Sequence, residues 1–442
     1  MQPGTSDIAL PITAVRRVRP PQLPWLFAAW MAASALTAVL AGLVLGVLAA
    51  TQDGYGASHW TEAVQAHGRL QLWGFAGVFI VTLSFEFLVR MNGRPMFPVP
   101  VRAGVPGGLL AGSLLMAAAQ VWHSQLGIVG AVGAALLVAA SGAFAWHVCR
   151  VRPPHSLKLD PQPWFFWLGS VWRLFAAVLT FALSVRWEAG VSLPVESHAA
   201  AESFLRGFVL QVILAVAPRA MAGHLGLRRL TARQQAVLLV LVNGGTVAWL
   251  LGQDAAMLPG LSLLVRAGDA AIGVSLLALT WWLGVLDARR PRRQRYDWLL
   301  PMAWVGAVAY GFGLLASGLV PSLHLTLYQE GAIRHLFLLG FMLPLMIGMA
   351  HIVLERFAVG RIPSINALTA AFVVSMIAWP LRVLPALAES SPGSAGQGLM
   401  GFAGLLTMMS LGLTAFVCTR TAMAAARPRP MTVVGMPAPV SR

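Results

Sequence analysis

The chain has 442 residues, 58% of them hydrophobic and only 10% charged, with a mean hydropathy of +0.74. No soluble domain of this size carries so few charges among so many apolar runs, which excludes an ordinary soluble enzyme. The formal net charge of +16 does not mark a nucleic-acid surface: the 31 basic residues, all arginine but for Lys158, stand between apolar runs, as topology signals do.

Apolar runs of about 20 residues, the length that crosses a bilayer as a helix, occur twelve times. They fall near 24–50, 67–90, 104–122, 125–148, 163–186, 200–222, 234–252, 258–286, 298–320, 332–355, 364–385 and 396–419. The first is longer than the apolar part of a signal peptide and has no convincing cleavage site, so it reads as an uncleaved span. The third and fourth could form a hairpin around Trp122, His123 and Ser124. Pro218, Pro344 and Pro380 fall inside spans and should kink them.

The connecting segments alternate in charge. Arg16, Arg17 and Arg19 precede the first span, and the next loop holds only Asp53 and Glu62. Arg90, Arg94 and Arg102 follow, then an uncharged loop, then Arg150, Arg152 and Lys158. The alternation continues through Arg228, Arg229 and Arg233, the run from Arg289 to Arg295, Arg356 and Arg361, and the tail with Arg420, Arg427 and Arg429. The positive-inside rule then puts both termini in the cytoplasm. The expected fold is all-α: a polytopic membrane domain of about twelve helices over 24–420, with disordered tails at 1–23 and 421–442. Cys149 and Cys418 fall near inner span ends, where no disulfide is implied.

Two spans share a pattern. HGRLQLWGFAGVFIVTLSFEFLVR runs from His67 to Arg90, and HLFLLGFMLPLMIGMAHIVLER from His335 to Arg356. An offset of 266 lays Gly74-Phe75 over Gly340-Phe341, and Leu88 and Arg90 over Leu354 and Arg356. Both histidines precede their inner arginine by a similar stretch of helix, roughly 30–35 Å. Two imidazoles at matching depth on helices running the same way are candidate axial ligands for one haem iron. The alternative is a pair of interfacial histidines bonded to water or loops. His351 is a rival ligand on the same helix as His335. It lies about 24 Å further in and would need a second site.

Arginines near the outer ends sharpen the expectation. Arg69, Arg206, Arg266, Arg334 and Arg382 fall there, and a charge in lipid needs a partner. Glu202 lies one turn before Arg206, and Asp269 three residues after Arg266, so each pair shares a helix face. Arg69 and Arg382 have no such local acid. Haem propionates would supply the missing charge to Arg69 and Arg382 and a carboxylate to Arg206, Arg266 or Arg334; snorkelling to the interface is the alternative, and the first choice for Arg382. Arg173 falls mid-span without a nameable partner, and Glu86 with Arg90 reads as a structural pair. Trp164 to Trp167 read as an interfacial belt. His198 reads as an outer-loop residue.

The wording HGRLQLWGFAG in the second span and RHLFLLGFMLPLMIGMAH in the tenth, with FVLQVILAVAPRAMAG in the sixth, resembles the NnrS family. Those are bacterial multi-pass membrane proteins described as binding haem and copper and as protecting cells from nitric oxide stress. The resemblance implies residence in a bacterial inner membrane and partners that include the lipid bilayer, haem and nitric oxide. His67 matches the first histidine of that family's His-x-His pair, and Arg69 stands where the second would be. The layout is also similar to the catalytic subunit of haem-copper oxidases, whose haem ligands lie in the second and tenth of twelve spans. The copper ligands of that family, a His-x-x-x-Tyr in the sixth span and a His-His pair in the seventh, have no counterpart here. Two further readings stay open: a degenerate oxidase-like subunit, and a transporter with no cofactor, which intramembrane charge would serve equally well.

Overall fold

A computed structural model describes residues 23–51, 60–151, 161–186, 194–253, 261–287, 294–323, 325–359, 362–388 and 393–427. The tails up to residue 22 and from residue 428 lie outside the described residues. The chain is an all-α multi-pass membrane protein. Twelve of its helices are long and apolar enough to cross a membrane, and no strand occurs among the described residues. They are α1 (Pro24–Gly46), α2 (Thr61–Met91), α3 (Val99–Val121), α4 (Gly127–Arg150), α5 (Gln162–Arg186), α6 (Ser197–Leu225), α7 (Ala232–Gly252), α8 (Ser262–Leu283), α9 (Tyr296–Leu319), α10 (Gln329–Ala358), α11 (Ile365–Ala388) and α12 (Ala395–Ala426). The chain leaves the helical region at Trp122, so α3 and α4 are separate spans. The last helix continues to Ala426, beyond the expected end at 420.

Burial separates the twelve into two classes. The apolar windows of α2, α6 and α10 are 89%, 78% and 89% buried, against 33–50% for the other nine. The three are inner helices and the nine form a wall around them. Each inner helix packs between the helices before and after it in sequence, α1 and α3, α5 and α7, α9 and α11. Along the wall α3 packs on α4, α7 on α8 and α11 on α12. Then α4 meets α5, α8 meets α9, and α12 returns to α1. The chain is thus three four-helix units in a closed ring, each sending its second helix to the centre.

The sequence carries the same period. In each inner helix one stretch widens from α-helix to π-helix: Leu70–Gly77, Ser203–Val209 and Leu336–Met342. These begin 133 residues apart each time. The following helices begin at Val99, Ala232 and Ile365, again 133 apart. The Gly-Phe pair noted in two spans therefore occurs in three, as Gly74-Phe75, Gly207-Phe208 and Gly340-Phe341.

Packing explains the glycine of the first two pairs, and at the third pair the glycine with no room is its partner on α9. A Cβ on Gly74 would stand 2.5 Å from Thr37 of α1, and one on Gly207 would stand 2.5 Å from Trp172 of α5. Gly340 meets Gly306 of α9 backbone to backbone, so closely that Gly306 itself has no room for a Cβ. At this level the first helix of every unit clasps the second, and only hydrogen fits between them. The phenylalanines Phe75, Phe208 and Phe341 are all buried.

Two of the three span prolines sit at wide turns. Pro218 lies in a second π-segment of α6, Ala217–Met221, and Pro344 opens the α-helix that follows the π-segment of α10. Proline offers no N–H and crowds the carbonyl four residues back, and a wide turn relieves both. Pro380 lies within the helix of α11. At the inner end of α2, Glu86 takes Arg90 of its own helix at 3.0 Å and Arg102 of α3 at 3.6 Å. In the expected aromatic belt Trp164 and Trp167 are exposed while Phe165 and Phe166 are buried.

Candidate functional site

His67 and His335 stand near the starts of two inner helices, at the ends that the arginine pattern makes outer. His67 donates from Nδ1 to the Ala41 carbonyl of α1 at 3.1 Å. His335 donates from Nδ1 to the Gly331 carbonyl one turn earlier, at 2.7 Å. A carbonyl can only accept, so each neutral ring carries its proton on Nδ1 and keeps the Nε2 lone pair. Neither Nε2 has a hydrogen-bond partner among the described residues. This is the arrangement by which proteins aim an imidazole at a metal. Both rings are half-buried.

The two rings share a neighbourhood. His335 lies near enough to His67, Arg334 and Arg382 for their charges to act on it, and Arg382 also acts on His67. Arg382 of α11 donates to Met400 Sδ at 2.8 Å. Its place beside both imidazoles was not legible in the sequence, where it reads as snorkelling.

Beside this pair lies a buried charge cluster on α6, α8 and α10. Arg206 donates from Nε to Glu202 Oε2 at 2.7 Å and from Nη1 to Asp269 Oδ1 at 2.6 Å. Arg334 donates from Nε to Glu202 Oε1 at 3.1 Å. Ser317 of α9 donates to Asp269 Oδ2 at 3.1 Å, and the Arg206 guanidinium lies 4.6 Å from the ring centre of Trp249. Two carboxylates thus face two guanidinium groups. That balance is what lets four charges stay in an apolar setting.

The cluster reassigns several expected partners. Arg334 has Glu330 one turn before it on its own helix, yet donates to Glu202 on α6. Asp269 accepts from Arg206, 63 residues away, while Arg266 donates to the Gly318 carbonyl at 3.1 Å. Arg69 is engaged within the protein two residues after His67. His198 lies in the first turn of α6, with Nε2 3.3 Å from Glu202 Oε1, and is no loop residue. His351 is buried near the other membrane face. Its Nδ1 donates to the Ile347 carbonyl at 3.0 Å, and its Nε2 lies 3.3 Å from Thr369 Oγ1. With both nitrogens engaged by protein, it is built as a packed structural histidine.

A haem needs two aimed imidazoles and cations for its carboxylates, and His67, His335 and Arg382 have those properties. For copper, no cluster of three or more His, Cys, Asp or Glu side chains placed to hold a metal ion occurs among the described residues.

The fold and the site define a class: a multi-pass membrane protein of three inner and nine outer helices, with paired histidines on two of the inner ones. No protein-family model matches the chain, and no curated protein matches it.

Proposed function

We propose that this chain is a membrane haem protein with His67 and His335 as axial ligands, of the NnrS type, acting in the response to nitric oxide from a bacterial inner membrane. The observation that carries the reading is the shared tautomer. Two imidazoles on different inner helices each give Nδ1–H to a backbone carbonyl and keep Nε2 for another partner. A haem between two imidazoles supplies one-electron chemistry, with a potential set by its axial ligands and surroundings. The chain's own residues hold and orient. Ala41 and Gly331 fix the ring planes through their carbonyls, Arg382 offers a cation to carboxylates, and the Glu202 cluster ties α6 to α10 beside the site. Absorption spectroscopy of the purified protein tests the reading: a Soret band is expected, and a colourless preparation from haem-replete cells would overturn it.

A second reading, a cofactor-free transporter, is favoured by the Glu202–Arg206–Asp269–Arg334 cluster, since paired charges inside a helical bundle can line a substrate path. The same spectrum separates the two.

A further inference from the structure

We propose that Arg173 and Gln211 form a site, deep within the helical bundle, for a small planar monovalent oxyanion such as nitrate or formate. Arg173 lies near the middle of α5 and is wholly buried. Among the described residues none of its three nitrogens has a hydrogen-bond partner. The guanidinium carbon lies 5.0 Å from the ring centre of Phe208 on α6, 5.3 Å from Phe144 on α4 and 5.9 Å from Trp73 on α2. Four helices, two from the first unit and two from the second, therefore close around one cation.

Three aromatic faces do not complete it. Ring faces 5.0–5.9 Å away attract the cation but offer no hydrogen-bond acceptor in its plane to replace the lost water. The N–H donors lie in the guanidinium plane, and each buried donor left unmade carries its full desolvation cost. Protein carboxylates do not close the gap, because the buried acids Glu86, Glu202 and Asp269 are all bonded elsewhere.

A second unpartnered group lies on the same helix contact. Gln211 of α6 is wholly buried, and its Nε2 and Oε1 both lack partners among the described residues. Gly169, one turn before Arg173, packs against it: a Cβ there would stand 3.1 Å from the Gln211 Cβ. Opposite, Gly77 of α2 brings its backbone close to the guanidinium, with Phe204 3.6 Å from where its Cβ would be. A Cβ there would stand 3.9 Å from Arg173 Nη2 and 3.2 Å from the Leu72 carbonyl oxygen.

These features select the ligand. One uncompensated guanidinium calls for a single negative charge. Its flat fork matches two oxygens in a plane. The apolar walls favour an anion that gives up water readily, and the enclosure favours one of a few atoms. The Gln211 amide can donate a further hydrogen bond.

The test is thermal unfolding of the purified full chain in detergent at fixed ionic strength, with nitrate, formate, chloride or sulfate as the varied anion. A bound anion raises the unfolding temperature with saturation. Nitrate and formate should do so, chloride more weakly, and sulfate only as a non-saturating salt. Gln211→Leu should weaken the nitrate response at least tenfold, and Arg173→Met should abolish it. Should Arg173→Met not fold, Gln211→Leu together with equilibrium binding of isotopically labelled nitrate to the native protein decides the matter. Absence of saturable nitrate binding to the native protein would overturn the proposal, as would equal binding by the variants. The proposal does not depend on haem, so it can fail while the axial pair stands.

Discussion

Arg334 donates from Nε to Glu202 Oε1 across 3.1 Å, and that bond ties α10 to α6, two of the three inner helices. Arg334 is also the residue immediately before His335, so the bond anchors the turn that carries the imidazole. The same carboxylate takes Arg206 at 2.7 Å. One acid thus holds the starts of two inner helices together.

Glu202→Gln keeps the size of the side chain and removes its charge. It leaves Arg206 with Asp269 alone, and Arg334 with a neutral acceptor. Breaking a buried pair from one side costs about 3–5 kcal/mol. The part due to Arg334, whose side chain is 31% exposed, deserves a discount for solvent screening. The expected result is a fall of several degrees in the unfolding temperature of the detergent-purified protein. An unchanged transition would mean that the cluster does not hold the helices.

Glycine packing gives a second prediction with a definite sign. Gly→Ala in an open helix position usually stabilises, by up to about 1 kcal/mol. Gly401 has nothing within 4 Å of a built Cβ, so Gly401→Ala should be neutral or stabilising. Gly306→Ala would drive a methyl into the backbone of Gly340, and overpacking of this kind costs about 1–3 kcal/mol. Thermal unfolding of the two variants side by side should show shifts of opposite direction. Equal shifts would remove the close contact of α9 with α10.

The span count was legible because an apolar run of about 20 residues has few other uses in a chain with so little charge. The threefold period was legible only in part. Gly74-Phe75 and Gly340-Phe341 can be matched from their similar flanks, but the middle copy is disguised. Arg206 stands in α6 where α2 has Trp73 and α10 has Leu339, and Glu202 stands where α10 has His335. The signal that finds it is the halved offset, 133, which also relates the starts of α3, α7 and α11. The π-segments leave no hydropathy mark, since widening a turn changes which carbonyl is bonded and not which residues are apolar. The ion pairs were missed for another reason. Local spacing finds Glu202 with Arg206, but the bonds of Arg334 to Glu202 and of Arg206 to Asp269 cross between helices, and no rule of three or four residues reaches that far.

Orientation gives a third prediction. The positive-inside rule predicts that both termini and the segment near Arg292 lie on the cytoplasmic side. A reporter that works only in the cytoplasm should be active when fused after Arg442 or inserted near Arg292. Activity of a periplasm-specific reporter at either place would invert the depths assigned to His67 and His335.

The fourth prediction concerns the paired imidazoles, and its measurement bears most directly on the account. Absorption spectra would be recorded on the purified native protein and on His67→Ala, His335→Ala and His147→Ala. His147, at the inner end of α4 beside Phe97, serves as the control. The account predicts a Soret band in the native protein, its shift or loss in each of the first two variants, and no change in the third. A native protein without a Soret band, or a band that neither His67→Ala nor His335→Ala alters, would contradict it.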